Sequence, residues 1–332
     1  MANIALTALT DRLRHDRAVI PQDVIALRQV IYPDVAVSAE EAEALLAIDT
    51  ATDQRCRAWN DLFIEAMTDY VVHQQTPADY IDEAKADWLI ARLSAGGQIR
   101  TDSALEALVH ILEVATAAPQ RLALFALTQV KAAVVDADGP LLTGKLERGR
   151  ICADEVALLR RLLYAAAGDG NVAITRAEAE TLFDINDACR GADNDPAWTD
   201  LFAKALAASV MTVSGFQPVD RGDEARREAW MAHADPSGLC GIAGFINRMF
   251  AAERPSGATL WGDGLDSWRD HNAQVAAAET AAESISDEEA RWLMDRIGRD
   301  GLFDEAEQAL IRFLRQESPT IHPALKPLLE LA

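Results

Sequence analysis

The chain is poor in the residues that usually announce a chemistry. Its four cysteines, Cys56, Cys152, Cys189 and Cys240, lie far apart and form no C-x-x-C pair. That excludes the clustered thiolates of a structural zinc site and leaves free thiols of a reducing compartment as the expectation. Aromatic residues make up only 6%. No run of about 18 apolar residues occurs, so no transmembrane span is expected. The opening MANIALTALTDRLRHDRAVI has no basic stretch ahead of its apolar part, so a signal peptide is not expected and a cytoplasmic location is. No G-x-S-x-G, Walker A or H-E-x-x-H run is present, and the six histidines do not cluster. Positive charge is also scarce. With 31 Lys and Arg against 53 Asp and Glu, the net charge is −22. Nucleic acid, whose backbone must exchange counterions for Lys and Arg, is excluded as a partner on this ground. Anionic membrane surfaces are excluded in the same way, while cations, basic proteins or plain solubility remain compatible.

What is present is helix-forming sequence in duplicate. Half the 332 residues are hydrophobic, with Ala and Leu dominant, and these lose little freedom in a helix. Val24–Tyr32 (VIALRQVIY) matches Val156–Tyr164 (VALLRRLLY). Glu41-Ala42-Glu43-x-Leu45-x-x-Ile48 matches Glu178-Ala179-Glu180-x-Leu182-x-x-Ile185, and Trp59-Asn60-Asp61-Leu62-Phe63 matches Trp198-Thr199-Asp200-Leu201-Phe202. Later, IDEAKADWLIARL from Ile81 aligns with ISDEEARWLMDRI from Ile285, and Gly97 with Gly301. Between these blocks the offset grows from 139 to 204, an insertion of about 65 residues in the second copy. Such self-similarity has to be read before the elements are assigned. The expected domains are residues 1–143 and 144–332, with the seam in Asp136–Gly144 and the insertion at about 212–284.

Each copy repeats a smaller theme of amphipathic helix, polar turn, β-branched residue and acidic helix start. The best-preserved unit is Val156–Asp187, with its Gly-Asp-Gly-Asn turn. Ser38 and Thr175 read as N-caps, with Glu41 and Glu178 completing capping boxes. No convincing two-residue alternation occurs, and the expected fold class is all-α. The insertion holds Trp230, Trp261 and Trp268 and reads as helices at Asp223–His233 and Asp266–Ser284 around an apolar stretch and an irregular one.

The Asp-Gly turns invite a calcium-loop reading that the ligands do not support. With Gly301 at position 6, Asp300 falls at 5 and Glu307 at 12, but positions 1 and 3 are Arg296 and Gly298, where oxygen ligands are needed. Carboxylates from different helices offer another route to a divalent cation. Glu178, Glu180, Asp184 and Asp187 follow Asp169 and Asn171, and Asp34, Glu41, Glu43 and Asp49 stand in matching places. Cys240-Gly241-Ile242-Ala243-Gly244-Phe245 is similar to the start of class II glutamine amidotransferases. Their nucleophile needs its own free α-amino group, which an internal Cys240 lacks. Glu106 and His110 share a helix face, but one such pair makes no di-iron site.

The segment LLYAAAGDGNVAITRAEAETLFDI resembles the tellurite-resistance TerB family and the related N-terminal domain of the co-chaperone DjlA, through Ala167, Asp169, Gly170, Val172, Thr175 and Glu178. The resemblance covers the repeat cores and leaves the insertion aside. It implies an all-helical, non-catalytic cytoplasmic module of stress-response or membrane-linked protein complexes, with acidic residues that bind a divalent cation. The first copy departs from the pattern, with Pro33-Asp34 lacking the Gly and Gly96-Gly97 lacking the Asp. The candidate ligands for calcium or magnesium are therefore Asp169, Asn171, Glu178, Asp300 and Glu307. The expected function is that of a binding or scaffold protein with a protein partner. The alternative is an enzyme whose site lies between the copies and the insertion and uses Asp263, Trp261 and His271.

Overall fold

Local capping residues set where the helices begin. In the computed structural model, which describes residues 2–33, 36–136, 149–165, 174–211, 287–299, 303–317 and 323–326, Ser38 Oγ accepts the Glu41 amide while Glu41 Oε2 accepts the Ser38 amide at 2.7 Å. Thr175 and Glu178 make the same reciprocal pair, with the return bond at 2.8 Å. These are the two expected capping boxes, each satisfying backbone donors that a helix start otherwise leaves open. Asp82 and Thr101 cap two further helices through the amides of Lys85 and Ala104.

Among the described residues the order is α1 (Ala2–Asp16), β1 (Ala18–Val19), α2 (Pro21–Ile31), α3 (Ala39–Ala51), β2 (Gln54–Arg55), α4 (Arg57–Thr68) with a π-helical extension (Asp69–Gln74), and α5 (Glu83–Leu93). There follow β3 (Ser94–Ala95), β4 (Gln98–Ile99), α6 (Asp102–Val114), α7 (Gln120–Lys131) with a second π-helical extension (Ala132–Asp136), and α8 (Ala153–Ala165). The order closes with α9 (Arg176–Ala188), α10 (Pro196–Met211), α11 (Asp287–Arg296) and α12 (Glu305–Glu317). The protein is thus mostly helical. The four strands, absent from the all-α expectation, form a parallel pair β1–β2 and an antiparallel pair β3–β4. At two residues each they are too short to leave an alternating pattern in the sequence.

Helix α1 packs on α3, α4 on α6, α7 on α9 and α10 on α12, while α6 and α7 both meet α8. One continuous core runs through all of them, from Leu6 to Leu325. Its largest fully buried side chains are Trp59, Trp198, Phe63, Phe183 and Phe202.

The turn before α2 and the turn before α8 are built alike. Arg17 has φ of 52° and its amide donates to Leu13 O; Gly149 has φ of 73° and its amide donates to Val134 O. At Gly149 a side chain would meet two obstacles, the positive φ and the Ala188 carbonyl 3.3 Å from any Cβ. Two residues on, Val19 O accepts from Cys56 N and Ile151 O from Asp195 N. Ile20 N then donates to the Asp23 carboxylate, as Cys152 N does to Glu155.

The insertion at 212–284 lies outside the described residues, as do Cys240, Trp261, Asp263 and His271. So does the expected boundary between residues 143 and 144.

Candidate functional site

Two buried polar nodes tie the helices together. On α3, Asp49 is 2% exposed. Its Oδ1 accepts from Trp59 Nε1 at 2.9 Å and from Ser103 Oγ, and its Oδ2 accepts from Thr101 Oγ1. Arg55 Nε stands 3.3 Å from Oδ1 and balances the charge. On α9, Asn186 takes the matching place. Trp198 Nε1 donates to its Oδ1 at 3.0 Å, and its Nδ2 donates to Asp304 Oδ2 at 2.6 Å. Asp304 caps α12 through the Glu307 amide, as Thr101 caps α6. The roles are therefore exchanged. In the first node the α3 residue is the anion and the cap donates, whereas in the second the cap is the anion and the α9 residue donates. The arginine follows the charge, since Arg190 Nε lies 3.4 Å from Asp304 Oδ2. The carboxylate, amide and indole groups of both nodes are hydrogen-bonded, as low-dielectric burial requires, while Arg55 Nε meets Asp49 through charge alone.

The acidic row on α9 already faces a cation. Arg296 of α11 is 7% exposed, and its guanidinium pairs with Glu180 at 3.1 Å, Asp187 at 3.2 Å and Asp184. It also stacks over the Phe183 ring, 5.1 Å from the centroid, a cation–π contact. Lys131 Nζ reaches Asp184 from α7 at 2.6 Å, and Trp292 Nε1 donates to Glu180. Glu180, Asp184 and Asp187, read in the sequence as a possible cation set, thus close around side-chain cations. The matching pair on α5 and α3, Arg92 with Glu43 at 2.8 Å, is half exposed.

Of the five candidate ligands, Asp169, Asn171 and Asp300 lie outside the described residues. Glu178 is buried, and its Oε2 accepts both the Thr175 amide and the Thr175 hydroxyl. Glu307 is buried within the fold, with Oε1 on the Gly298 amide at 3.0 Å and Oε2 on the Asp304 amide at 3.1 Å. Burial raises the carboxyl pKa of both. Among the described residues, no three His, Cys, Asp or Glu side chains are grouped as a metal ion would need. Nor do Cys152 and Cys189 suit nucleophilic chemistry. Burial pushes the Cys152 thiol up and the Cys189 thiol to about 11, so both stay protonated near neutrality.

Among the described residues, three clefts stand out on the surface. The largest, about 960 Å³, borders the second node and is lined by Asn186, Arg190, Trp198, Asp304, Arg312 and Phe313. A second, about 350 Å³, lies along α4 and the π-helical turn, beside Asp61, Glu65, Asp69, His73 and His110. His73 Nδ1 is 2.8 Å from Asp79, and His110 Nδ1 is 3.7 Å from Glu113. A third, about 210 Å³, is lined by Arg160, Tyr164, Asp200 and Lys204.

Asp304, Arg190 and the Arg296 cage were missed as a set from the sequence. The available signal was positional, because Asn186 follows Ile185 as Asp49 follows Ile48, twelve and ten residues ahead of their tryptophans. Comparison with protein-family profiles, curated proteins and solved structures finds no match.

Proposed function

We propose that the chain is a non-catalytic binding or scaffold protein of TerB-like type, made of two tandem helical copies and acting in the cytoplasm. The reading rests on one observation, the use made of the buried ionisable groups. Asp49, Glu178, Glu307 and Arg296 all hold helices to one another through caps, indole donors or ion pairs. None of them is left with a free valence facing a cleft, as a catalytic acid or base would need.

The matched turns, nodes and arginine pairs support the tandem arrangement, with a seam proposed at 115–119 in place of the boundary at 143. On that partition α1–α6 form the first copy and α7–α12 the second. Two features favour it over a boundary at 143. Helix α7 packs on α9 as α1 packs on α3. The run Ala123-Leu124-Phe125-Ala126-Leu127-Thr128 also parallels Ala5-Leu6-Thr7-Ala8-Leu9-Thr10. The outer faces of the two copies then differ. Leu105, Val109 and Leu112 of α6 are buried, on the side where Glu106 and Glu113 pair with Arg161 of α8. Counted from the N-caps, the same positions on α12 are Gln308, Arg312 and Arg315. A polar face of this kind suits solvent better than the packing of another helix pair.

Divalent-cation binding through acidic helix starts belongs to the same reading only if Glu178 and Glu307 leave their caps. The test is thermal unfolding of Glu178→Gln and Glu307→Gln with and without millimolar calcium, magnesium, zinc or manganese. Each variant is expected to lose about 2–4 °C, the effect of weakening a cap by about 1 kcal/mol in a chain of this size. The loss should be the same with and without the cations. A shift that grows when the cation is added would overturn the structural assignment and restore the cation site.

A further inference from the structure

The third cleft is the counterpart, in the second half, of a place that the first half fills from within. On α2, Arg28 holds the Glu65 carboxylate of α4 with two hydrogen bonds, at 2.6 and 3.0 Å. Next to it the Tyr32 hydroxyl donates to Asp69 at 3.0 Å. Burial, with the Asp69 carboxylate close by, holds the Tyr32 phenol above its ordinary range. The matched donors on α8 are Arg160 and Tyr164, and both line the third cleft. Their acceptors are gone. Where Glu65 stands on α4 and Asp69 on its π-helical extension, α10 carries Lys204 and Ala208, a change of three units of charge toward positive.

The consequences are visible in the side chains. Lys204 Nζ turns to Asp200 on its own helix at 2.8 Å, which occupies the cleft's carboxylate. Tyr164 is 57% exposed, one of the few large hydrophobic side chains exposed in the described fold. Among the described residues neither Arg160 nor Tyr164 has an acceptor. A guanidinium, a phenol and an ammonium thus line one concave site, flanked by Leu163, Ile174 and Leu201. The arrangement stands out in a chain of net charge −22, whose overall field repels anions.

We propose that this cleft is a docking site for an acidic side chain of a partner protein, with Arg160 and Tyr164 donating to its carboxylate as Arg28 and Tyr32 do to Glu65 and Asp69. The proposal rests on the binding-module reading and names the chemistry of its partner. Arginine's planar fork suits a carboxylate in two-point contact. The modest volume of about 210 Å³ suits one side chain and its neighbours on a segment.

The test uses the full chain and a fluorescein-labelled hexaglutamate peptide, followed by anisotropy at low salt. The wild type is expected to bind saturably and to weaken as salt is added. Arg160→Gln should weaken binding at least about tenfold, the loss of one charge-assisted contact. Lys204→Glu should do the same by giving Arg160 an internal partner, while its thermal midpoint holds or rises. Absence of saturable binding by the wild type would overturn the proposal, and so would full binding by Lys204→Glu. Inorganic phosphate or free glutamate displacing the peptide at equal concentration would overturn the protein-partner assignment in favour of a small anion. These outcomes are independent of the cap variants, so a failure here is distinguishable from a failure of the scaffold reading.

Discussion

The node at Asp49 and the node at Asn186 reach the same geometry from opposite chemistries. Both hold an indole N–H, a helix N-cap and an arginine around one residue near the end of a helix. In the first node the negative charge sits on α3 and the cap is a threonine; in the second it sits on the cap and the α9 residue is an amide. The difference teaches what is constrained. Neither the charge nor the residue type at either position is fixed, but each pair must contain one donor and one acceptor, with one carboxylate and not two. Two such nodes can therefore differ in residue type while keeping the same pattern of hydrogen bonds.

The arginine pairs sharpen that comparison with the largest expected effect. Arg296 is enclosed by Glu180, Asp184 and Asp187, whereas Arg92 meets Glu43 in solvent. Arg296→Gln removes a buried guanidinium from three half-exposed carboxylates and is expected to cost about 1.5–3 kcal/mol, the loss of charge-assisted contacts. Arg92→Gln is expected to cost less than about 1 kcal/mol, as exposed pairs do. Urea unfolding of the two variants measures both. Equal costs would break the claim that the second half stakes more of its stability on this pair.

A smaller effect carries a pH signature. Burial raises the Glu307 carboxyl pKa in the folded state. The folded protein then holds this proton more tightly than the unfolded chain does. The group's contribution is fully present below the ordinary carboxylate pKa and is lost as pH rises through the raised folded value. The stability advantage of the wild type over Glu307→Gln should therefore be greatest at acid pH and shrink above about pH 4.5, the ordinary range of a glutamate. Thermal midpoints across a pH series check the sign. An advantage that grows with pH would mean that the amide bonds from Gly298 and Asp304 outweigh the cost of burying the charge.

The helical character and the two capping boxes were legible in the sequence because they depend on residues three or four apart. Ser38 with Glu41 and Thr175 with Glu178 are local signals, and the structure satisfies them locally. The nodes were not legible, because Asp49 meets Thr101 and Asn186 meets Asp304 across gaps of 52 and 118 residues. Acidic residues on a helix gave no indication of whether solvent, a metal or an arginine faced them. Glu180, Asp184 and Asp187 proved to face Arg296, a residue that the calcium-loop alignment had placed at a ligand position. The proposed correspondence of α1 and α7 left little trace, because the sequence between α7 and Gly149 is longer than the single step from α1 to Arg17. The short strands left no pattern, since two residues cannot show a period of two.

The account turns on whether the second node is the first with its donor and acceptor exchanged. The most direct measurement is a thermal and urea unfolding cycle of Asn186→Asp, Asp304→Thr and the double variant. Asn186→Asp alone sets two carboxylates against each other and should destabilise strongly, and Asp304→Thr alone should weaken the cap pairing. Together they recreate the Asp49–Thr101 arrangement, so the double variant should be more stable than the sum of the single losses by at least about 1 kcal/mol. Losses that simply add would contradict the exchange.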